Sequence, residues 1–164
     1  MKLLQNEDGF TMMELMIVFV IISVAIGMAY YSVNIVFSAR VDSHASQYRA
    51  DLRLLRDKTI SDIHTYELVW SYTDHHYTYE IIDLSDGKTV KKIELSKDID
   101  VNVYLASEPT NLVDVAGVKI RFDAATGEVK NVSGANGAGK YVLENTVNGK
   151  QFTVEIVKLT GRID

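Results

Sequence analysis

"GFTMMELMIVFVIISVAIGMAYY", Gly9 to Tyr31, decides how the rest of the chain is read. It holds one carboxylate, Glu14, ahead of a run from Leu15 to Ala39 that contains no Asp, Glu, Lys or Arg. As a helix that run is roughly 37 Å long at ~1.5 Å per residue, enough to cross a ~30 Å hydrocarbon core with some tilt. The chain as a whole has 164 residues, 24% of them charged, and a net charge of −5. That average composition fits one domain with an appendage, so the local segregation of apolar and charged residues carries the information.

A secretory signal needs a basic start, a short apolar core and a small-residue cut site after the core. In "MKLLQNEDG" one Lys stands against two acids, and Gly9 precedes the apolar run. This order disfavours a secretory signal and leaves a plain anchor or a retained segment that is cut in front. Glu14 separates the two. A carboxylate in hydrocarbon costs ~3 kcal/mol or more unless paired, and the dipole of its own helix returns only ~0.3 to 1 kcal/mol in the first turn. Either headgroups solvate it at the interface, or a cation from outside the helix pairs with it.

"G-F-T-M-M-E" resembles the prepilin peptidase site of the type IV pilin and type II secretion pseudopilin superfamily. The resemblance implies that residues 1–9 are a leader removed by prepilin peptidase after Gly9, and that Phe10 becomes an N-methylated terminus. It also implies that Phe10, Thr11 and Glu14 serve subunit assembly, Glu14 neutralising the terminal amine of a neighbouring subunit. The implied partners are the peptidase, other pilin or pseudopilin subunits, the inner-membrane assembly platform and, before assembly, membrane lipid. No cofactor, metal or catalytic residue is implied. The charge rule alone points the other way on topology: Lys2 precedes the apolar run, whereas Arg40, Arg49, Arg53 and Arg56 follow it, which would leave the C-terminal part in the cytoplasm. The resemblance implies a single-pass cytoplasmic (inner) membrane protein with an extracytoplasmic head that later joins a filament. Asp42, Asp51, Asp57 and Asp62 balance the arginines.

Past the apolar run the pattern becomes one-sided. Val41, Ala45, Tyr48, Leu52 and Leu55 recur at helical spacing, with Ile60 and Ile63 near the same face. No Pro or Gly interrupts residues 34–66, and the only Pro of the chain is Pro109. The reading is one helix from about Thr11 to about Asp62, roughly 75 Å long, with Ser23 and Gly27 its weak points. Residues 10–39 form the transmembrane or filament-core segment, and residues 40–66 lay the apolar stripe against a head comprising residues 67–164.

In the head the period is two. "ELVWSY" and "YTYEIID" flank "TDHH", "DLSDGKT" leads to "VKKIEL", and "VNVYL", "GVKIRFD" and "EVKNV" follow. "KYVLENT" and "QFTVEIVKL" flank the Asn-Gly of "VNGK", the strongest hairpin signal present. Val118, Ile120 and Phe122 share one face, as do Phe152, Val154 and Ile156, so one antiparallel sheet of seven or eight strands is expected to cover the helix stripe. The fold class is α+β and pilin-like. "LRLLRDKTI", "IRFDAATGEV" and "KLTGRI" are similar in character and order to the H-type minor pseudopilins, in which a final Gly-Arg segment, here Gly161 and Arg162, closes the domain.

Other motifs compete less well. "GANGAGKY" satisfies a phosphate-loop pattern through Lys140, then has Tyr141 where Ser or Thr should bind magnesium, and it precedes a strand instead of opening a helix; it reads as a flexible inter-strand loop. His75 and His76 are adjacent and read as a polar hairpin tip. Asp83 with Asp86, and Asp123 with Glu128, read as turn residues, since neither pair supplies a calcium cage. Asn131-Val-Ser133 fits a glycosylation triplet. No Ser, His and acid can be placed in mutual reach from sequence, and no Cys is present to form a disulfide. From Glu67 onward 11 basic residues face 15 acidic ones, which disfavours nucleic acid as a partner, although Lys88, Lys91 and Lys92 form a local basic patch. The function expected is structural: a pilin or minor pseudopilin. The alternatives are a DNA-uptake pilus subunit and an anchored extracytoplasmic binding module that never polymerises.

Overall fold

Helix α1 spans Met12–Ser61 without interruption, as a stretch free of Pro with Gly27 as its one internal Gly allows. The structure, a computed structural model, describes residues 10–62, 64–105, 117–132 and 135–164. Residues up to Val36 and residues from Phe37 to Asp164 form two compact units. In the first unit the described residues are Phe10, Thr11 and the opening half of α1, where the large apolar side chains up to Val36 are exposed.

In the second unit the expected stripe Val41, Ala45, Tyr48, Leu52 and Leu55 is buried. Its predicted continuation at Ile60 is not: Ile60 is 46% exposed, and Thr59 is buried instead. A four-residue step from Leu55 stays on the face, whereas the next residue swings ~100° away. The Thr59 hydroxyl donates to the Leu55 carbonyl at 2.8 Å, so its burial leaves no unsatisfied donor. Ile63 lies outside the described residues.

The strands are β1 (Tyr66–Thr73), β2 (His76–Asp83), β3 (Lys88–Glu94), β4 (Ile99–Leu105), β5 (Lys119–Arg121), β6 (Asn131–Val132), β7 (Ala135–Asn136), β8 (Gly139–Asn145) and β9 (Gln151–Ile156). They form three sheets among the described residues, in orders β3-β2-β1-β5, β4-β8-β9 and β6-β7, and every pairing is antiparallel. The single sheet expected from sequence is therefore split. The first sheet ends at β3, whose exposed edge carries Lys88, Lys92 and Glu94, and charge on an edge opposes further pairing. β4, with Ile99, Val101 and Val103 buried in alternation, pairs instead with β8.

One ring joins the two larger sheets to the helix. Tyr48 lies 5.1 Å from Trp70 on β1, 5.3 Å from Tyr79 on β2 and 5.5 Å from Tyr141 on β8, centroid to centroid. The Trp70 indole donates to the Tyr48 hydroxyl at 3.3 Å, and the Tyr141 hydroxyl donates to the Gly137 carbonyl at 2.6 Å. Burial pushes the Tyr48 and Tyr141 phenols well above their ordinary pKa, so this cluster stays uncharged. Such aromatic pairs contribute ~0.5–1.5 kcal/mol each beyond their buried area.

Turn chemistry fixes the hairpins. Asp74 and His75 take φ of 53° and 64°, the left-handed pair that a two-residue hairpin loop requires. In the β8–β9 turn the buried Asn145 side chain accepts from the Val147 and Asn148 amides and donates to Asp98 at 2.8 Å. The same turn docks on α1 through Asn148 to Ser38 and Lys150 to Asp42.

Candidate functional site

Thr11, just ahead of Met12, caps α1. The Glu14 amide donates to Thr11 Oγ1 at 3.2 Å, and the Leu15 amide donates to the Thr11 carbonyl at 3.1 Å. Thr at the cap and Glu three residues later is the capping-box pattern, a signal that spacing alone would have revealed. Thr11 is thereby a helix cap as well as a motif residue, and Glu14 is fixed in the first helical turn. Glu14 has no basic side chain within ion-pair distance among the described residues. Phe10 is exposed beside them, and Gly9 lies outside the described residues.

The following turns satisfy their own polar groups. Ser23, Ser32 and Asn34 each donate to the carbonyl four residues earlier, at 2.8, 3.0 and 3.2 Å. In an apolar medium such back-bonding spares the hydroxyl and amide groups a desolvation cost. α1 is long and apolar enough to cross a membrane. A methyl group at Gly27 would meet nothing within 4 Å, so no packing contact among the described residues requires glycine there.

The head resolves the other motifs. Lys88 lies 2.7 Å from Asp86, Lys91 2.6 Å from Asp51 and Lys92 3.1 Å from Glu80; the basic patch read from sequence is locally neutralised. Asp123 Oδ1 accepts from the Ala125 and Thr126 amides and its Oδ2 pairs with Lys130 at 2.7 Å, which holds its carboxyl down at about 2. Asp83 bonds the Ser85 amide and His64. No cluster of three or more His, Cys, Asp or Glu suited to a metal occurs among the described residues. The phosphate-loop look-alike is no open loop where it is described: Gly137, Ala138 and Gly139 are buried, and a Cβ at Gly137 would strike Ile120 and the Lys119 carbonyl. Gly134 and Ser133 lie outside the described residues.

Sequence reasoning missed two buried carboxylates. Asp51 accepts from Lys91, the Tyr79 hydroxyl at 2.8 Å and Gln47 at 3.0 Å. Glu67 pairs with Arg121 at 2.6 Å and Lys119 at 3.4 Å. It also missed a Ser–His pair, His44 Nε2 and Ser96 Oγ at 3.3 Å. Asp98 is nearby but is engaged by Arg40 and Asn145, and among the described residues no carboxylate is hydrogen-bonded to His44 in the manner of the orienting third group of a catalytic triad.

Gly161 and Arg162 lie in the last segment of the second unit, where the Val157 amide donates to the Arg162 carbonyl at 2.9 Å. Gly161 has φ 58°, and a Cβ there would overlap the Gly127 carbonyl oxygen. Beyond it Ile163 bridges to Ile156, while Arg53 and Arg56 of α1 donate to the Ile163 and Thr160 carbonyls at 3.1 and 3.3 Å.

No curated protein and no solved structure matches this chain. Residues 4–30 match the family model described as the prokaryotic N-terminal methylation motif. That match contains the capped first turn and most of the uncovered apolar helix, and it supports a place in the type IV pilin-like superfamily.

Proposed function

We propose that this protein is a structural subunit of a type IV pilus or type II secretion-type filament. In this reading prepilin peptidase cuts after Gly9, Phe10 is N-methylated, and residues 10–39 anchor the subunit in the membrane before packing into the filament core. Residues 67–164 form the exposed head. The observation that carries the reading is the position of Glu14: a carboxylate with no ion-pair partner among the described residues, in the first turn of a capped helix, at the head of an apolar segment, within the methylation motif. A terminal amine from a neighbouring subunit would offset the cost of burying that charge. The closing Gly161-Arg162 segment favours a minor pseudopilin of the H type within this class. Replacement E14A tests the assembly role. Membrane insertion should persist while incorporation into sheared filaments falls at least tenfold; undiminished incorporation would refute the pairing role, and an anchored module that never polymerises would show no filament fraction for either protein.

A further inference from the structure

Ion pairs neutralise most cations of the head, including Lys91, Lys92, Lys119, Arg121, Lys130 and Lys150. One row on α1 is different: Arg49, Arg53 and Arg56 have no carboxylate within 4 Å among the described residues. Arg49 stacks over Phe152 at 5.1 Å. Arg53 and Arg56 are held by backbone carbonyls of the closing segment. A carbonyl orients a guanidinium but does not cancel its charge, and each guanidinium keeps further N–H donors. These two side chains, with Asp57, Arg162 and Asp164, line a cleft of about 370 Å³. Arg162 is engaged by Asp164 at 2.7 Å.

We propose that this cleft is a carboxylate-binding site whose ligand bridges Arg53 and Arg56. The lining side chains leave one positive charge in excess, which one carboxylate matches and a phosphate dianion overshoots. The two guanidiniums stand a single helical turn apart and are already immobilised by chain segments more than 100 residues away, so binding spends little rotamer entropy. The carboxylate comes either from a free small acid or from an Asp or Glu of a second copy of this acidic chain. The site stands independently of the reading of the N-terminal segment.

The test uses the full chain in detergent micelles with 15N-labelled arginine, following the Nε–H signals during titration with sodium acetate against sodium chloride at equal ionic strength. Saturable shifts at Arg53 and Arg56 that exceed those at Arg40 and Arg49 are expected, and inorganic phosphate should bind no more tightly than acetate. R53Q should weaken acetate binding about tenfold, the loss of one charge-assisted bond. D57N, which leaves the arginine–carbonyl clips untouched, should strengthen it severalfold even if R53Q fails to fold. Shifts no larger than those caused by chloride, or tighter binding of phosphate, would overturn the assignment. If the same two signals also move with protein concentration, and acetate reverses that movement, the carboxylate is a second copy's; saturation by acetate without concentration dependence makes it a free acid.

Discussion

Lys91 Nζ on β3 lies 2.6 Å from Asp51 Oδ1 on α1, and the Tyr79 hydroxyl donates to the other oxygen of the same carboxylate at 2.8 Å. The arrangement fastens the charged edge strand of the first sheet to the helix, at a carboxylate whose side chain is only 4% exposed. Removing one partner of a buried pair is costly because the other charge stays desolvated. Lys91 is one-third exposed and Asp51 keeps two other donors, so K91M should cost a discounted ~1–3 kcal/mol. The loss should appear as a lower urea midpoint with unchanged slope. The double variant D51L/K91M should be less destabilised than the sum of its single changes.

Gly161 and Gly87 separate strain from collision. Both have positive φ, 58° and 72°, but a Cβ at Gly87 would meet nothing within 4 Å, whereas at Gly161 it would overlap backbone. G87A should cost ~1–2 kcal/mol, the penalty of a left-handed alanine. G161A should cost clearly more, about 3 kcal/mol, because the Gly127 strand-turn must also shift. Thermal unfolding of the two variants side by side checks the ranking.

His64 and Asp83, 2.6 Å apart, make the junction after α1 pH-dependent. The Asp83 carboxylate raises the His64 pKa above its ordinary value, and His64 holds the Asp83 carboxyl below its own. The His64 contribution is full below about pH 6.5 and is lost as pH rises through its elevated folded value; that of Asp83 is present above about pH 3.8 and is lost as pH falls through its depressed one. Half-buried His44 has its pKa lowered by desolvation, so protonating it opposes folding as pH falls below about 6.5. H64Q should therefore lower the unfolding temperature at pH 5 and leave it nearly unchanged at pH 9. An equal loss at both pH values would refute the ion pair.

The Thr11 cap should control the turn that presents Glu14. T11V keeps the shape but loses the acceptor, which costs ~1 kcal/mol. Amide exchange at Glu14 in micelles should accelerate about fivefold, with T11S restoring protection. Unchanged exchange would mean the cap does not hold the first turn.

Periodicity made the helix, its stripe from Val41 to Leu55 and the hairpins readable in sequence, because each depends on neighbours at fixed offsets. The division into two sheets was not readable. It depends on whether β4 pairs with β3 or with β8, a choice between partners decided by long-range packing around Tyr48 and Tyr141. Asp51 and Glu67 were hidden for the same reason: their cations, Lys91 and Arg121, stand 40 and 54 residues away. The N-terminal motif was legible because it is contiguous in sequence from Gly9 to Glu14, whereas the cap formed by Thr11 shows only in the hydrogen bond from the Glu14 amide.

The most direct test of the central claim is the mass of the N-terminus after expression with and without prepilin peptidase. With the active peptidase, residues 1–9 are expected to be removed and Phe10 to be the first residue, carrying one added methyl group. An intact leader in the presence of the active peptidase, or a new terminus beyond the apolar run, would contradict it.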